Sequence, residues 1–92
     1  MTTLHFDAHG QLAIRGGMTV HEVPALLAGL ASHAGVTEVD LQGVTQVDSS
    51  ALSVLLALSR AAGGATVTVH HAPPALRALS DLYGLHTLFR VA

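Results

Sequence analysis

Hydrophobic and polar positions along the chain switch between two periods. Leu4 and Phe6 alternate with His5 and Asp7, and Leu12 and Ile14 resume the alternation after Ala8-His9-Gly10. A period of two on both sides of a glycine turn predicts a β-hairpin that ends at Gly16-Gly17. Val23, Leu26, Leu27 and Leu30 follow at i, i+3, i+4 and i+7, one apolar stripe that predicts an amphipathic helix from about Val20 to about Ser32. Thr19 and Glu22 fit a capping box. Pro24 would then sit inside the helix and remove a backbone bond, so the first turn is expected to begin later or to be irregular.

Gly35 stops this helix, and Glu38-Val39-Asp40-Leu41 alternates again before Gly43, which predicts a third strand ending near Leu41. A short loop then passes two inward-pointing valines, Val44 and Val47. From Ser49 the period turns helical, with Leu52, Leu55, Leu56 and Leu58 apolar and Gly63-Gly64 ending the run. This helix is apolar around so much of its circumference that it should be largely buried. Thr66-Val67-Thr68-Val69 is β-branched throughout and predicts a fourth strand. Pro73-Pro74 marks the entry to a third helix, with Leu76, Leu79 and Tyr83 on one face and Gly84 where a C-terminal cap belongs. Core packing is the first expectation for Tyr83 and the tail from Leu85 to Phe89, and interface contact the second. Residues 88–91 can form a short strand or a last helical turn. The order β-β-α-β-α-β-α predicts an α/β fold: a four- to five-stranded mixed β-sheet, its parallel neighbours joined by right-handed crossovers, packed against about three to four α-helices.

At 92 residues, with no repeat or linker, the chain is expected to form a single domain over residues 1–92. Half of it is hydrophobic, but with one Tyr, two Phe and no Trp the core must be built from Leu, Val and Ala. Charge is sparse: four Arg, no Lys and six acids leave a formal net charge of −2. No basic stripe exists, which argues against a nucleic-acid partner. So little charge implies an apolar surface that a partner covers, and the isolated chain can dimerise through it. The N-terminus lacks the basic and apolar regions of a secretory signal. The longest apolar-rich run, Ala51 to Ala62, is interrupted by Ser53, Ser59 and Arg60 and falls short of the roughly 20 residues of a spanning helix. A cytoplasmic location is therefore expected.

Candidate chemistry is thin. Cysteine is absent, which removes disulfides and thiolates together. No pair of the seven histidines (5, 9, 21, 33, 70, 71 and 86) has i, i+4 spacing on a predicted helix, as a zinc helix needs, since His5 and His9 fall in the hairpin, and His70 and His71, adjacent at a strand end, are expected to point to opposite faces. No metal site follows. Gly-x-Ser-x-Gly is missing, and neither glycine pair is followed by Gly-Lys-Ser/Thr, so nothing supports catalysis, a nucleotide or another cofactor. The informative segment runs from Val39 to Leu52. Asp48 and Ser49 are ordinary N-cap residues, and that role alone accounts for both. Alternatively, Ser49, Ser53 and Arg60, with Ala57 between them, form the one polar or small-residue stripe of an otherwise apolar helix, a flat surface on which another helix can dock.

The run VDLQGVTQVDSSALSVLLAL resembles the central motif of STAS domains: a hydrophobic-Asp-Leu strand, a loop, then Asp-Ser or Asp-Thr opening a Leu-rich helix. LAIRGGMTVHEVPALL is similar to the second strand, turn and first helix of that family, and PPALRALSDLYGLHTLF to its closing helix and tail, so the resemblance spans nearly the whole chain. It implies a non-catalytic protein–protein interaction domain whose recognition element is the helix beginning at Ser49. Ser49 would contact the partner, Asp48 would orient the loop, and Ser50, Ser53 and Arg60 would extend the contact.

Two branches of the family fit. In anti-sigma factor antagonists the serine matching Ser49 is phosphorylated by a partner serine kinase. A phosphate at a helix N-terminus meets backbone N–H groups and the positive dipole end, so the fold tolerates it while the docking surface changes. In the MlaB-type subunit of phospholipid (Mla) ABC transporters, which maintain lipid asymmetry, the matching residue contacts the ATPase subunit without phosphorylation. The compact length, the LYGL near the end, the GGMTVHEVPALL turn without Gly-Glu-Leu-Asp, and Ala51 in place of the usual Gly favour the transporter branch. That branch implies a cytoplasmic chain held at the inner face of the membrane by its partner, with no insertion of its own.

Overall fold

The computed structural model describes residues 2–31, 33, 35–63, 65–84 and 89–92. The first two alternating segments pair as the hairpin: β1 (Thr3–Phe6) runs antiparallel to β2 (Gln11–Met18), with Leu4 opposite Ile14 and Phe6 opposite Leu12. Asp7 closes the turn, its Oδ1 accepting the N–H of His9 at 2.7 Å and of Gln11 at 3.0 Å, the local bonding that suits aspartate to turns. Parallel pairs follow, β2 with β3 (Glu38–Val47), β3 with β4 (Val67–His70) and β4 with β5 (Phe89–Val91), giving a mixed five-stranded sheet in the order β1-β2-β3-β4-β5.

Helices α1 (Val23–Leu30), α2 (Ala51–Ala61) and α3 (Pro74–Tyr83) make the three crossovers. Strand order follows chain order from β2 to β5, and crossovers of this kind share one hand, so all three helices fall on the same face of the sheet. Burial agrees. Leu12, Ile14, Val39, Leu41, Val67 and Val69 on that face form one apolar cluster with Val23, Leu26, Leu30, Val54, Leu55, Leu58 and Leu76 from the helices. The alternate strand residues Ala13, Arg15, Glu38, Asp40, Thr68 and His70 lie on the other, open face. As composition requires, the described core is aliphatic; Phe6 is only half-buried, its ring stacked on His33 with centroids 3.7 Å apart.

Several boundaries differ from expectation, each for a tertiary reason. β2 continues through Gly16-Gly17 and β3 runs past Leu41 to Val47 because the two strands pair with each other there, Gly16 opposite Val44 and Met18 opposite Val47. Two register shifts give β3 extra residues, which interrupts its alternation and brings both Val44 and Val47 against the core. The expected loop is thus strand. Helix α1 begins at Val23, which places Pro24 in the first turn, where its missing N–H costs no bond; Ser32 lies outside the described residues. Helix α2 begins at Ala51, not at Ser49. β4 is Val67–His70, one residue later than its β-branched run. Gly84, at φ 64, caps α3 in the left-handed conformation that glycine adopts without penalty. Tyr83 is 58% exposed, against the core role expected for it: the buried face of α3 runs through Leu76 and Ser80, with Leu79 half-buried, and ends before Tyr83. The rest of that expected patch, 85–88, lies outside the described residues. Residues 89–91 form a strand, one of the two alternatives. Among the described residues no helix is long and apolar enough to cross a membrane.

Two substitutions probe this packing. Leu55 is fully buried, and Leu55→Ala is expected to lower unfolding free energy by about 3 kcal/mol in urea titrations, from lost transfer energy plus a cavity. Ser80 is 1% exposed, with a buried hydroxyl that has no hydrogen-bond partner among the described residues. Ser80→Ala should therefore raise stability by about 1 kcal/mol.

Candidate functional site

The far end of the β2–β3 pair is the projecting part of the sheet. β4 pairs with β3 only from Glu38 to Asp40, and β1 with β2 only from Leu12 to Arg15. Beyond these limits Gly16–Met18 and Val44–Val47 form a two-stranded ribbon. Both chains turn into helices at its tip, through residues 19–22 into α1 and through Asp48-Ser49-Ser50 into α2.

Two carboxylates hold the tip together. Asp48 Oδ2 accepts the Val20 N–H at 3.0 Å and its Oδ1 accepts the Ser50 N–H at 2.8 Å, so one side chain ties the loop before α1 to the start of α2. Glu22 folds back so that its Oε2 accepts the Thr19 N–H at 2.9 Å and also the Thr19 hydroxyl. This is the Glu half of the expected capping box, formed ahead of the helix. Gly17 makes room for it: a Cβ there would lie 2.6 Å from Glu22 Oε1. The N–H of Val20, then the N–H and the hydroxyl of Ser50, hold the Asp48 carboxyl below its ordinary value, with nearby His21 adding to the shift. Glu22 is lowered chiefly by the Thr19 hydroxyl and again, more weakly, by His21. The tip therefore carries two ionised carboxylates around one histidine.

The expected contact residues sit here and along α2. Ser49 is exposed in the turn, Ser50 is half-buried at the N-cap, Ser53 and Arg60 are exposed, and Ala57 is half-buried between them. The opposite sides of α2, through Ala51, Leu52, Val54, Leu55 and Leu58, are buried. Among the described residues Ser50, at the N-cap, makes no side-chain capping bond; Asp48 binds the Ser50 N–H instead. The first turn closes through tight i to i+3 bonds, Ala51 N–H to Asp48 O at 3.1 Å and Leu52 N–H to Ser49 O at 3.2 Å. Val20 was not foreseen. It is 59% exposed, with its backbone fixed to Asp48, and adds an apolar group beside Ser49. A valine next to a capping-box threonine was the available signal.

The open face corrects another expectation. His71 follows β4 with φ 57, a left-handed conformation that reverses the side-chain alternation. His70 and His71 consequently point to the same face, His70 Nε2 lying 2.8 Å from Glu38 Oε1 and His71 Nδ1 3.0 Å from Asp40 Oδ1. They border a groove of about 370 Å³ with His5, Asp7 and Gln11. Among the described residues no three His, Asp or Glu side chains are placed to hold a metal ion.

The Asp48 latch has a measurable signature. Its folded-state value is depressed, so its contribution is present above the ordinary 3.8 and is lost as pH falls through the lower folded value. The Val20 and Ser50 amides should stay protected from hydrogen exchange down to about pH 4 and lose protection below it. In Asp48→Ala that protection should be missing at every pH.

A family model described as "Mlab, STAS domain" matches residues 2–90. Solved structures share the fold. The anti-sigma factor antagonist SpoIIAA in its unphosphorylated form is 16% identical, with a TM-score of 0.70 over 100% of this chain and 87% of that one. The phosphorylated form of SpoIIAA, a Bacillus cell fate determinant, is 19% identical, with a TM-score of 0.71 over 100% and 91%. An anti-sigma factor antagonist from Mycobacterium paratuberculosis is 24% identical, with a TM-score of 0.75 over 99% and 83%. No curated protein matches the chain. At these identities the solved structures speak for the fold, and the family model for descent. Its match takes in the hairpin, all three crossover helices and the Asp48-Ser49-Ser50 turn, and the chain belongs to the MlaB-type STAS family of non-catalytic protein-interaction domains.

Proposed function

We propose that the chain, acting as one unit over residues 1–92, is a cytoplasmic MlaB-type subunit that binds and supports the ATPase of a phospholipid (Mla) ABC transporter, and is held at the membrane's inner face by that partner. The match of the MlaB-type family model over residues 2–90 carries this reading. In it, Ser49 is the central contact at the ribbon tip, Asp48 positions the turn, and Ser50, Ser53 and Arg60 continue the contact along α2. Exposure supports the choice: the apolar sides of α2 are spent on the core, while Ser49, Ser53 and Arg60 face outward. Small side chains let another backbone approach closely, and Arg60 can pair with an acid at the far end.

The second reading is an anti-sigma factor antagonist controlled by a serine kinase that phosphorylates Ser49. One of the fold's relatives is a phosphorylated antagonist, and the Ser49 side chain is exposed, as a kinase requires. A phosphate there would add roughly two negative charges beside ionised Asp48, turning a neutral contact into one that repels acidic partners.

Co-purification from the native cell separates the two. The tagged chain should bring down an ABC ATPase subunit, and Ser49→Asp should reduce that recovery several-fold while leaving the melting temperature unchanged, because Ser49 is exposed and Ser50 holds the N-cap. Undiminished recovery by Ser49→Asp would remove Ser49 from the contact. A serine kinase recovered in place of the ATPase, with phosphate on Ser49, would select the second reading.

A further inference from the structure

Three large apolar side chains are exposed among the described residues: Val20 at the ribbon tip, and Leu82 and Tyr83 where α3 ends. Val20 differs in how its loop is held. Its N–H is bound by Asp48, the Thr19 N–H and hydroxyl are bound by Glu22, and the Thr19 carbonyl accepts the N–H of Glu22 and of Val23, each at 3.0 Å. Met18 before the loop and Val23 after it are buried, so the chain sends the apolar groups on either side inward and this one outward. A β-branched side chain is restricted at χ1, and the bonds fix the backbone from which it projects.

Charge around Val20 is one-sided. Asp48 and Glu22 are both ionised, held so by N–H and hydroxyl donors, and no arginine bonds either of them among the described residues. Arg15 lies along Gly43, where a Cβ would be 2.7 Å from its Cγ. Arg60 is in the last turn of α2, and Arg77 and Arg90 line a separate depression with Asp81 and Val91. These are all four arginines, and the chain has no lysine. Among the described residues His21 is the basic side chain that acts on the two carboxylates, and its attraction is the weakest of the causes that lower them. An apolar group beside carboxylates with no cation of their own fits a surface that is apolar at its centre and cationic at its border. It fits other occupants poorly. A second tip across a two-fold axis would set carboxylates against carboxylates, and an anionic lipid surface would repel them in the same way.

We propose that Val20 is an anchor of the partner contact: the partner meets the tip with an apolar socket that takes the valine, bordered by an arginine or lysine that faces Asp48 and Glu22. The inference rests on the reading of the tip and α2 as the partner-binding surface, and adds to it what the partner must bring. Ser49, small and exposed, lets the socket close over the tip. A protein with a similar socket but an acidic border is refused by like charge, so the valine supplies affinity and the carboxylates supply selectivity.

The test uses the whole chain and the purified ATPase subunit recovered with it, or the serine kinase where that is the protein recovered. Val20→Thr keeps the β-branched shape and exchanges a methyl group for a hydroxyl, while Val20→Ala removes two methyl groups. Each should weaken binding in calorimetry roughly three- to tenfold, with the melting temperature unchanged because the side chain is exposed. Glu22→Gln keeps an amide oxygen for the Thr19 N–H and removes the charge. Between about 0.1 M and about 1 M salt the wild type should lose more affinity than this variant. Full affinity in both valine variants, with binding lost in Ser49→Asp, would overturn the anchor and leave the partner reading standing. Equal salt dependence in wild type and Glu22→Gln would overturn the cationic border. Binding of neither protein by the wild type would remove the partner reading and the anchor together. A dimer in light scattering that Val20→Thr dissolves would assign the valine to a second copy and overturn the socket on a partner.

Discussion

Parallel pairing of β2 with β3 is the constraint on which the other features depend. It joins the N-terminal hairpin to the three crossover units, and among the described residues it is the only strand pair that continues where neither flanking strand follows. The projecting ribbon carries both turns that build the candidate site. It can do so because the bulges in β3 let Val44 and Val47 remain against the core despite the lost alternation. A strand ending at Leu41 would have left the start of α2 level with the sheet edge, without Val20 as a neighbour.

Sequential strand order has a second consequence. With every crossover of the same hand, the helices crowd one face and the sheet buries only that side. Helix α2, at the centre, must therefore be apolar on most of its circumference, and what remains outward is a narrow line through Ser53, Ala57 and Arg60. A small aliphatic core is thus compatible with an outward stripe on its central helix: one line of α2 is left exposed and the rest holds the domain together.

Backbone hydrogen bonds to carboxylates recur wherever the chain changes direction. Asp7 closes the hairpin, Glu22 folds the loop before α1, and Asp48 fixes that loop to α2. Half of the six acids in the chain are used in this way, and with the few cations placed elsewhere, the turns depend on N–H donors rather than on ion pairs. These bonds fix the backbone from which exposed groups, Val20 and Ser49 among them, project.

Local pattern determined a good deal by itself. The period-two runs located the hairpin, Gly84 marked the end of α3, the aliphatic composition foretold the kind of core, and the Asp-Ser turn before a Leu-rich helix pointed to a member of the STAS family. All of these depend on near neighbours in the chain. Tertiary structure alone decided the length of β3, since its bulges erase the alternation and only the facing β2 holds it extended. It also decided which carboxylate latches Val20, the exposure of Tyr83, and the shared face of His70 and His71, which follows from one positive φ that a histidine pair in sequence does not announce. Contacts between residues such as Asp48 and Val20, or Asp40 and His71, arise from strand register, and register is a property of the whole sheet.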